Sequence, residues 1–324
     1  MEENFYLPKL LELKDNFSVK IIWGVRGVGK SALLNLFAQN LRAEGVPEAE
    51  IIFIDCAATE QLRNFNQLYS FVEERAADSE RFFLLIDEAD IVADCEKAIN
   101  ALFVGEPAEI YVTCSSFLFV EKISALLPDN CDVLKIYPLS FAEYVKYSAA
   151  EEALENYLHF GGLPATLDAD KKILPKLLRG VAYELLFEAV AKNSVQRAEI
   201  FHLLMKRLAQ NVGKPISSAQ LSEGIDSSLE TIKNYLHCGA GLFNKIQRFD
   251  IKNGKFLNGG EKFYCIDNGI ISALAAVDES ILIENAVYVE LLRRGYKISS
   301  GKFGAMHITF VADEKIFIQV LPTS

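Results

Sequence analysis

An α/β fold is what this sequence predicts: a parallel β-sheet covered by helices on both faces, then a mainly helical segment and a small α+β tail. Three observations predict it. Between Val19 and Leu139, short apolar runs alternate with amphipathic stretches, the pattern of a buried parallel sheet wrapped by crossover helices. From Ser140 onward helical periodicity takes over, with strand-like runs returning around Asn253-Gly254 and near the C-terminal end. The 324 residues exceed one ordinary domain and leave room for about two compact units.

Five strands are expected in the first part: Val19 to Trp23, Ile51 to Asp55, Phe82 to Asp87, Glu109 to Thr113 and Asp132 to Tyr137. Between the first two, Leu33, Leu34, Phe37 and Leu41 recur at helical spacing, and Gly45 with Pro47 marks the helix end. Ser140 and Glu143 have the spacing of a capping box and open a helical lid over residues 140–197. Gly161-Gly162-Leu163-Pro164 interrupts the lid, and a further helix runs from Ile173 to Ala191 despite Gly180. Residues 198–276 have the order of a winged helix: Glu199 to Ala209, Ser218 to Glu223, Ser227 to His237, then a hairpin about Asn253-Gly254. Asn-Gly suits a tight turn in which both central residues take positive φ. Residues 277–324 form the tail, with a helix ending near Arg293-Arg294-Gly295 and strands near Tyr296, His307 to Val311 and Lys315 to Val320. Residues 1–139 make up the remaining, first domain.

With 51% hydrophobic and 24% charged residues, the composition is that of a globular protein and excludes a disordered or fibrous one. A net charge of −11 speaks against a surface that tracks a nucleic-acid backbone throughout, since phosphate contacts need clustered Lys and Arg. The six cysteines are scattered without C-x-x-C pairs, and read as small buried hydrophobes in a reducing compartment. His159, His202, His237 and His307 lie far apart in sequence, and no nucleophile-histidine order stands out. The first residues carry no signal-peptide pattern and no apolar run is long enough to cross a bilayer, so the cytoplasm is the expected compartment and a membrane is not an expected partner.

Gly24-Val25-Arg26-Gly27-Val28-Gly29-Lys30-Ser31 matches G-x-x-x-x-G-K-[ST] between an apolar strand and an amphipathic helix, where a phosphate loop belongs. The glycines let backbone N–H groups turn inward around phosphates, and the helix presents its positive end to the same anion. Lys30 supplies charge for the β- and γ-phosphate oxygens, and the Ser31 hydroxyl is placed to ligate Mg2+. Ala32 completes the expected nucleotide-contacting stretch. A dinucleotide-binding G-x-G-x-x-G cannot be written over these residues, so Asp55 is a strand-end residue and not a ribose ligand.

Phe82 to Ile86 is an uninterrupted apolar run that ends in Asp87-Glu88, as a buried strand does when its tip enters a site. Asp87 is expected to support Mg2+, and Glu88 to orient or deprotonate the water that attacks the γ-phosphate. Asp90 is expected at the surface or on a helix cap. The fourth strand runs into Thr113-Cys114-Ser115-Ser116, so Thr113 or Ser115 senses that phosphate if this strand lies between the other two. Equally, Ser and Thr are ordinary at strand ends. No N-K-x-D string follows in this domain, which makes ATP the expected nucleotide over GTP.

On these residues the chain resembles a large prokaryotic family of AAA-type P-loop ATPases. Its members join the ATPase domain to a C-terminal domain of unknown function, built from a winged helix and a restriction-endonuclease-like fold. The resemblance also rests on Tyr137-Pro138-Leu139-Ser140-Phe141, Gly161-Gly162-Leu163-Pro164, Ile283-Glu284-Asn285 and Arg294-Gly295-Tyr296. There are three departures from it. Leu127-Pro128-Asp129-Asn130 stands where relatives carry Gly-Arg, so an arginine acting on the γ-phosphate is missing. Thr309 stands where the nuclease-like fold has an Asp, and Gln319-Val320-Leu321 replaces its acidic or Gln residue followed by Lys. Glu284 is the remaining candidate metal ligand there, and as a helix-surface or capping residue it would leave the nuclease-like part degenerate and DNA cleavage unexpected.

The resemblance implies Mg2+-dependent ATP hydrolysis coupled to the winged helix. The alternative is a nucleotide-gated binding module with little hydrolysis, which the missing Gly-Arg favours. A protein partner or a second copy of the chain is expected. DNA contact has weak support, because Ser227 to His237 offers Lys233 alone against Glu230, although the hairpin carries Lys245, Arg248, Lys252 and Lys255.

Overall fold

Val19 to Trp23 form a strand (β1) with every side chain buried, because it lies inside a sheet covered on both faces. In the computed structural model, residues 5–76, 81–147, 152–167, 169–193 and 195–321 are described. The chain divides into two units, Met1–Ile136 and Tyr137–Ser324.

In the first unit α1 (Leu7–Glu12) precedes β1, and the chain then alternates: α2 (Lys30–Ala43), β2 (Ile51–Asp55), α3 (Phe65–Ala76), β3 (Phe82–Asp87), α4 (Cys95–Gly105), β4 (Ala108–Cys114), α5 (Phe117–Leu126) and β5 (Cys131–Lys135). All five strands are parallel, in the order β2-β3-β4-β1-β5. Burial follows position. The interior strand β3 is wholly buried, whereas the edge strand β5 is half-exposed, which is why its sequence is the least apolar. The first three strands have the expected bounds, but the fifth ends at Lys135, two residues early. One buried charge sits in β1: the Lys20 ammonium donates to the Asn16 carbonyl at 2.7 Å and lies 3.5 Å from Glu109, and burial pulls it down to about 8.

The second unit contains α6 (Phe141–Tyr147), α7 (Ala153–Phe160), α8 (Leu174–Lys192), α9 (Ala198–Gln210), α10 (Ser218–Ser222) and α11 (Leu229–Cys238). These are followed by β6 (Phe243–Asp250), β7 (Lys255–Cys265), α12 (Asn268–Leu274), α13 (Glu279–Arg293), β8 (Ile298–Phe303), β9 (Met306–Ala312) and β10 (Ile316–Ile318). Helix α12, after the hairpin, lies outside the elements expected for residues 198–276. The hairpin and the tail share one sheet, ordered β10-β9-β8-β6-β7, in which β6 and β8 pair in parallel through Arg248 and Ser300. Its core is an aromatic stack in which Tyr264 and Tyr288 lie 4.5 Å apart with Phe310 against both.

The expected Asn-Gly turn is not formed. Asp250 pairs with Lys255, leaving a four-residue connection, and of the two residues only Gly254 has positive φ, at 60°. The Asp250 side chain accepts from the Asn253 N–H at 3.2 Å and from its amide nitrogen at 2.7 Å, which holds Asn253 out of the primed-turn conformation.

Several of the strings that carried the family resemblance in the second unit prove to be joints within it. Ser140 and Glu143 form the expected capping box, with Glu143 N–H donating to Ser140 Oγ at 3.2 Å and Ser140 N–H to Glu143 Oε2 at 2.8 Å. The Arg293 guanidinium donates to Glu143 and to the carbonyls of Tyr137 and Pro138. Asn285 is fully buried; its side chain accepts from Cys265 N–H at 2.8 Å and donates to the Cys265 carbonyl at 3.0 Å, doing for the strand end what a neighbouring strand would. Leu139 N–H donates to the Gly162 carbonyl at 2.9 Å, and Gly162 N–H donates to buried Asp267 at 2.6 Å.

Asp267 caps α12 through the N–H groups of Gly269 (2.8 Å) and Ile270 (3.3 Å). Burial nonetheless raises its carboxyl to about 6, the three backbone donors recovering only part of the lost hydration. A carboxyl raised above its unfolded value favours the fold fully below about pH 4 and loses that contribution as pH rises through about 6. The stability of the parent relative to Asp267→Asn should therefore fall between pH 4.5 and 7.5, by about 2 kcal/mol. Denaturant unfolding of both proteins at the two pH values measures this, and an unchanged difference would remove the buried carboxyl as its source.

Candidate functional site

The C-terminal tips of the parallel strands form one edge of the first unit's sheet, and the predicted site residues meet there. β1 runs directly into Gly24, whose N–H donates to the Cys114 carbonyl at the tip of β4 at 3.3 Å. A Cβ on Gly24 would come within 2.6 Å of the Ile136 carbonyl, so only glycine lets the loop leave the strand here. Gly27 and Gly29 have positive φ (75° and 107°) with open space where a side chain would be, so the loop is hollow on that side. Val25 and Val28 are buried and anchor it, while Arg26 and Gly27 face outward. Gly29 is the N-cap of α2, which presents the first N–H groups of that helix to the hollow.

Lys30 is 7% exposed, and its ammonium donates to the Val25 carbonyl across the loop at 3.0 Å. Ser31 is half-buried on the first turn, its carbonyl engaged by the Asn35 side chain at 2.8 Å, and Ala32 is exposed next to it. The ring of backbone donors with one buried cation is suited to an anion of the size of a triphosphate tail.

β4 lies between β1 and β3, the order under which Thr113 stands beside both the loop and the acidic strand tip. The Thr113 hydroxyl donates to Asp87 Oδ1 at 2.5 Å and accepts from the Glu88 N–H at 2.8 Å. Asp87 is 6% exposed, and Glu88 is held at φ 52°, ψ 45°, a left-handed conformation that costs a non-glycine residue energy. Thr113 thus ties the Asp87 carboxylate to the Glu88 backbone, about two strand spacings, roughly 10 Å, from β1.

Ser115 is placed differently. Its N–H and hydroxyl donate to Asp90 Oδ2 at 2.9 and 3.3 Å, and Ser116 N–H donates to the same oxygen at 2.8 Å. Asp90, expected at the surface or on a helix cap, instead anchors the turn that follows β4. The Asp87-Glu88-Ala89-Asp90 string held the only sequence signal for it. Asp55 is the strand-end residue expected, its carboxylate accepting from Ala57 and Ala58 N–H at 2.9 and 3.0 Å. Together these groups make the edge strongly negative. Burial, then Asp55, Asp87, Asp90 and Glu88, push the Cys56 thiol up to about 12.

Sequence reasoning also missed Lys135. It pairs with Trp23 in the sheet register, and its ammonium lies 4.4 Å from the Trp23 ring, with burial lowering it to about 8. A lone lysine at a strand end carries no local signal.

Among the described residues, no group of three or more His, Cys, Asp and Glu is arranged to hold a metal ion by itself. Asp87 and the Ser31 hydroxyl are oxygen donors of the kind that could hold Mg2+ together with phosphate oxygens and waters. Glu284, expected on a helix surface or cap, accepts from Tyr264 Oη at 2.5 Å and lies 3.8 Å from the Lys262 ammonium. Thr309 and Gln319 do come together, Thr309 N–H donating to Gln319 Oε1 at 3.2 Å. No helix among the described residues is long and apolar enough to cross a membrane.

A strand–glycine loop–helix, separated by one strand from a strand that runs into Asp87-Glu88 in a five-stranded parallel sheet, defines a P-loop nucleotide-binding domain of the AAA type. Residues 16–145 match the model of a family described as an AAA domain, and residues 151–280 match one described as a domain of unknown function, DUF8612. An uncharacterized protein of Haemophilus influenzae is 30% identical over 342 aligned positions, spanning 97% of this chain and 85% of the relative. The chain belongs to this family of AAA-domain proteins. An uncharacterized Methanocaldococcus jannaschii protein is 26% identical, over 92% of this chain and 72% of its own length. Among solved structures, the Aeropyrum pernix ORC2 protein aligns over 90% of this chain and 92% of its own, at 12% identity and a TM-score of 0.41.

Proposed function

We propose that the first unit binds ATP with Mg2+ and hydrolyses it, and that the nucleotide state is relayed to a winged helix formed by α9, α10, α11 and the β6–β7 hairpin. The observation that carries the catalytic reading is the Thr113 bridge. It ties the Asp87 carboxylate to the Glu88 backbone at the tip of β3, two strands from β1 and its loop. Lys30 would exchange the Val25 carbonyl for β- and γ-phosphate oxygens, with backbone N–H groups between Val25 and Ala32 lining the phosphates, that of Gly24 being given to the Cys114 carbonyl. Mg2+, when bound, neutralises phosphate charge and orients the tail. Ser31 and Asp87 would support that ion, and Glu88 would orient the attacking water and accept its proton. Thr113 acts by positioning the Asp87 carboxylate and the Glu88 backbone. Ser115 is tied to Asp90 and would reach the γ-phosphate only from that position.

Glu88→Gln tests this. It keeps the size and polarity of the side chain and removes the base, so nucleotide should still bind while turnover falls by about 10²- to 10⁴-fold. Turnover equal to the parent would take Glu88 out of the role.

A second reading, a nucleotide-gated module with little hydrolysis, is favoured by the turn at Leu127-Pro128-Asp129-Asn130, which offers no guanidinium. Arg42 and Arg81 are committed elsewhere, to Glu48 and to Asp15 with Glu109. Single-turnover phosphate release separates the two readings, since ATP retained intact for minutes marks a switch. In either case a protein partner suits the proposed winged helix better than DNA, because Lys245 on the hairpin already faces Glu261 at 3.9 Å.

A further inference from the structure

Helix α8 carries two apolar stripes. One, made by Leu174, Leu178, Ala182, Leu185 and Leu186, is buried inside the second unit. The other contains Ile173, just before the first turn, with Leu177, Tyr183 and Phe187. Ile173, Tyr183 and Phe187 are 56%, 57% and 70% exposed, high values for large apolar side chains on one helix. At 3.6 residues per turn these positions fall within about 60° of Gly180, on the side opposite the buried stripe. Gly180 has no atom near the place of a missing Cβ, and an open trough of about 570 Å³ is centred on it between Lys176 and Glu184.

The order of residues along this face is symmetric about Gly180. Seven positions away stand Ile173 and Phe187, four away Lys176 and Glu184, three away Leu177 and Tyr183. Charge, however, is antisymmetric: positive on one side, negative on the other. A face of this kind complements itself when a copy is turned end for end, because a two-fold axis brings each residue against its mirror position. We propose that α8 is a homodimer surface, two copies packing antiparallel with their Gly180 residues at the crossing point. Lys176 of each chain then meets Glu184 of the other, Ile173 meets Phe187 and Leu177 meets Tyr183. Glycine at the crossing lets the backbones approach, and the apolar pairs flank it. Binary helix patterning explains one apolar stripe and leaves this one largely exposed among the described residues, with the Tyr183 ring edge-on to that of His202 at 6.2 Å.

The helix is 19 residues, about 28 Å, long. One helix pair buries less than the ~1,200 Å² of a standard interface, so the dimer forms at tens of micromolar and chains exchange readily. The proposal stands independently of nucleotide binding. Its test is the mass in solution, by sedimentation equilibrium, of the full chain, Lys176→Glu, Glu184→Lys and an equimolar mixture of the two variants. The parent should show twice the chain mass. Each variant alone should associate at least tenfold more weakly, since both cross-pairs become like-charged. The mixture should recover the parent's dimer, because glutamates 176 and 184 of one chain then face lysines 184 and 176 of the other. A parent that stays at single-chain mass at about 100 µM would overturn the proposal. So would variants that dimerise as the parent does, or a mixture that stays dissociated.

Discussion

Lys30→Ala should cut the stabilisation of the protein by ATP and Mg2+ to about half or less without harming the fold. The ammonium is buried against a backbone carbonyl, a position that costs hydration and gains one hydrogen bond. Alanine at the first position of α2 suits a helix better than lysine and leaves no buried charge, so the nucleotide-free protein should melt at the parent's temperature or above it. With ligand the order reverses. A charge-assisted contact to phosphate is worth about 1.5–3 kcal/mol, so affinity should fall by roughly 10- to 150-fold. The parent at 100 times its Kd gains about 2.7 kcal/mol from ligand, and the variant at the same concentration should gain less than half of that. Thermal unfolding with and without ATP and Mg2+ measures both effects. An equal ligand-induced rise in parent and variant would mean that the loop holds no triphosphate.

The second large effect is expected far from the phosphate loop in sequence. Gly161→Ala should destabilise the second unit by several kcal/mol. Gly161 follows α7 at φ 76°, ψ −168°, a region open to glycine and to almost nothing else, at a strain of about 1–3 kcal/mol. A Cβ there would also lie 2.1 Å from Asp267 Oδ1, inside any permitted contact. The carboxylate cannot retreat, because Gly162, Gly269 and Ile270 hold it by their N–H groups and it caps α12. Overpacking of this kind adds about 1–3 kcal/mol. Denaturant unfolding should show the midpoint falling with the slope unchanged, and a variant as stable as the parent would show that the Gly161–Asp267 contact is looser than described.

The two cases differ in how far the sequence announces them. Lys30 stands in a contiguous string between a strand and a helix, whereas the reason for Gly161 is a residue about a hundred positions away. The string Gly161-Gly162-Leu163-Pro164 is visible to pattern reading, but its partner is not. The same holds for Arg293, whose acceptors at Tyr137 and Pro138 are 156 and 155 residues distant. It holds for Glu284 too, which as a sequence symbol suited a helix surface and in the fold is claimed by Tyr264 and Lys262.

By itself the sequence determined the phosphate loop, the apolar strand ending in Asp87-Glu88, the capping box at Ser140 and the alternation that makes a parallel sheet. Each of these is a local matter: hydrogen-bond geometry, backbone freedom and burial within a few residues suffice to dictate it. Tertiary structure alone decided that β4 separates β1 from β3, that Thr113 bridges Asp87 and Glu88 while Asp90 takes Ser115, and that hairpin and tail share a sheet. Those outcomes depend on which distant groups satisfy one another once water is excluded, and the one-dimensional order of residues does not encode that pairing in any short stretch.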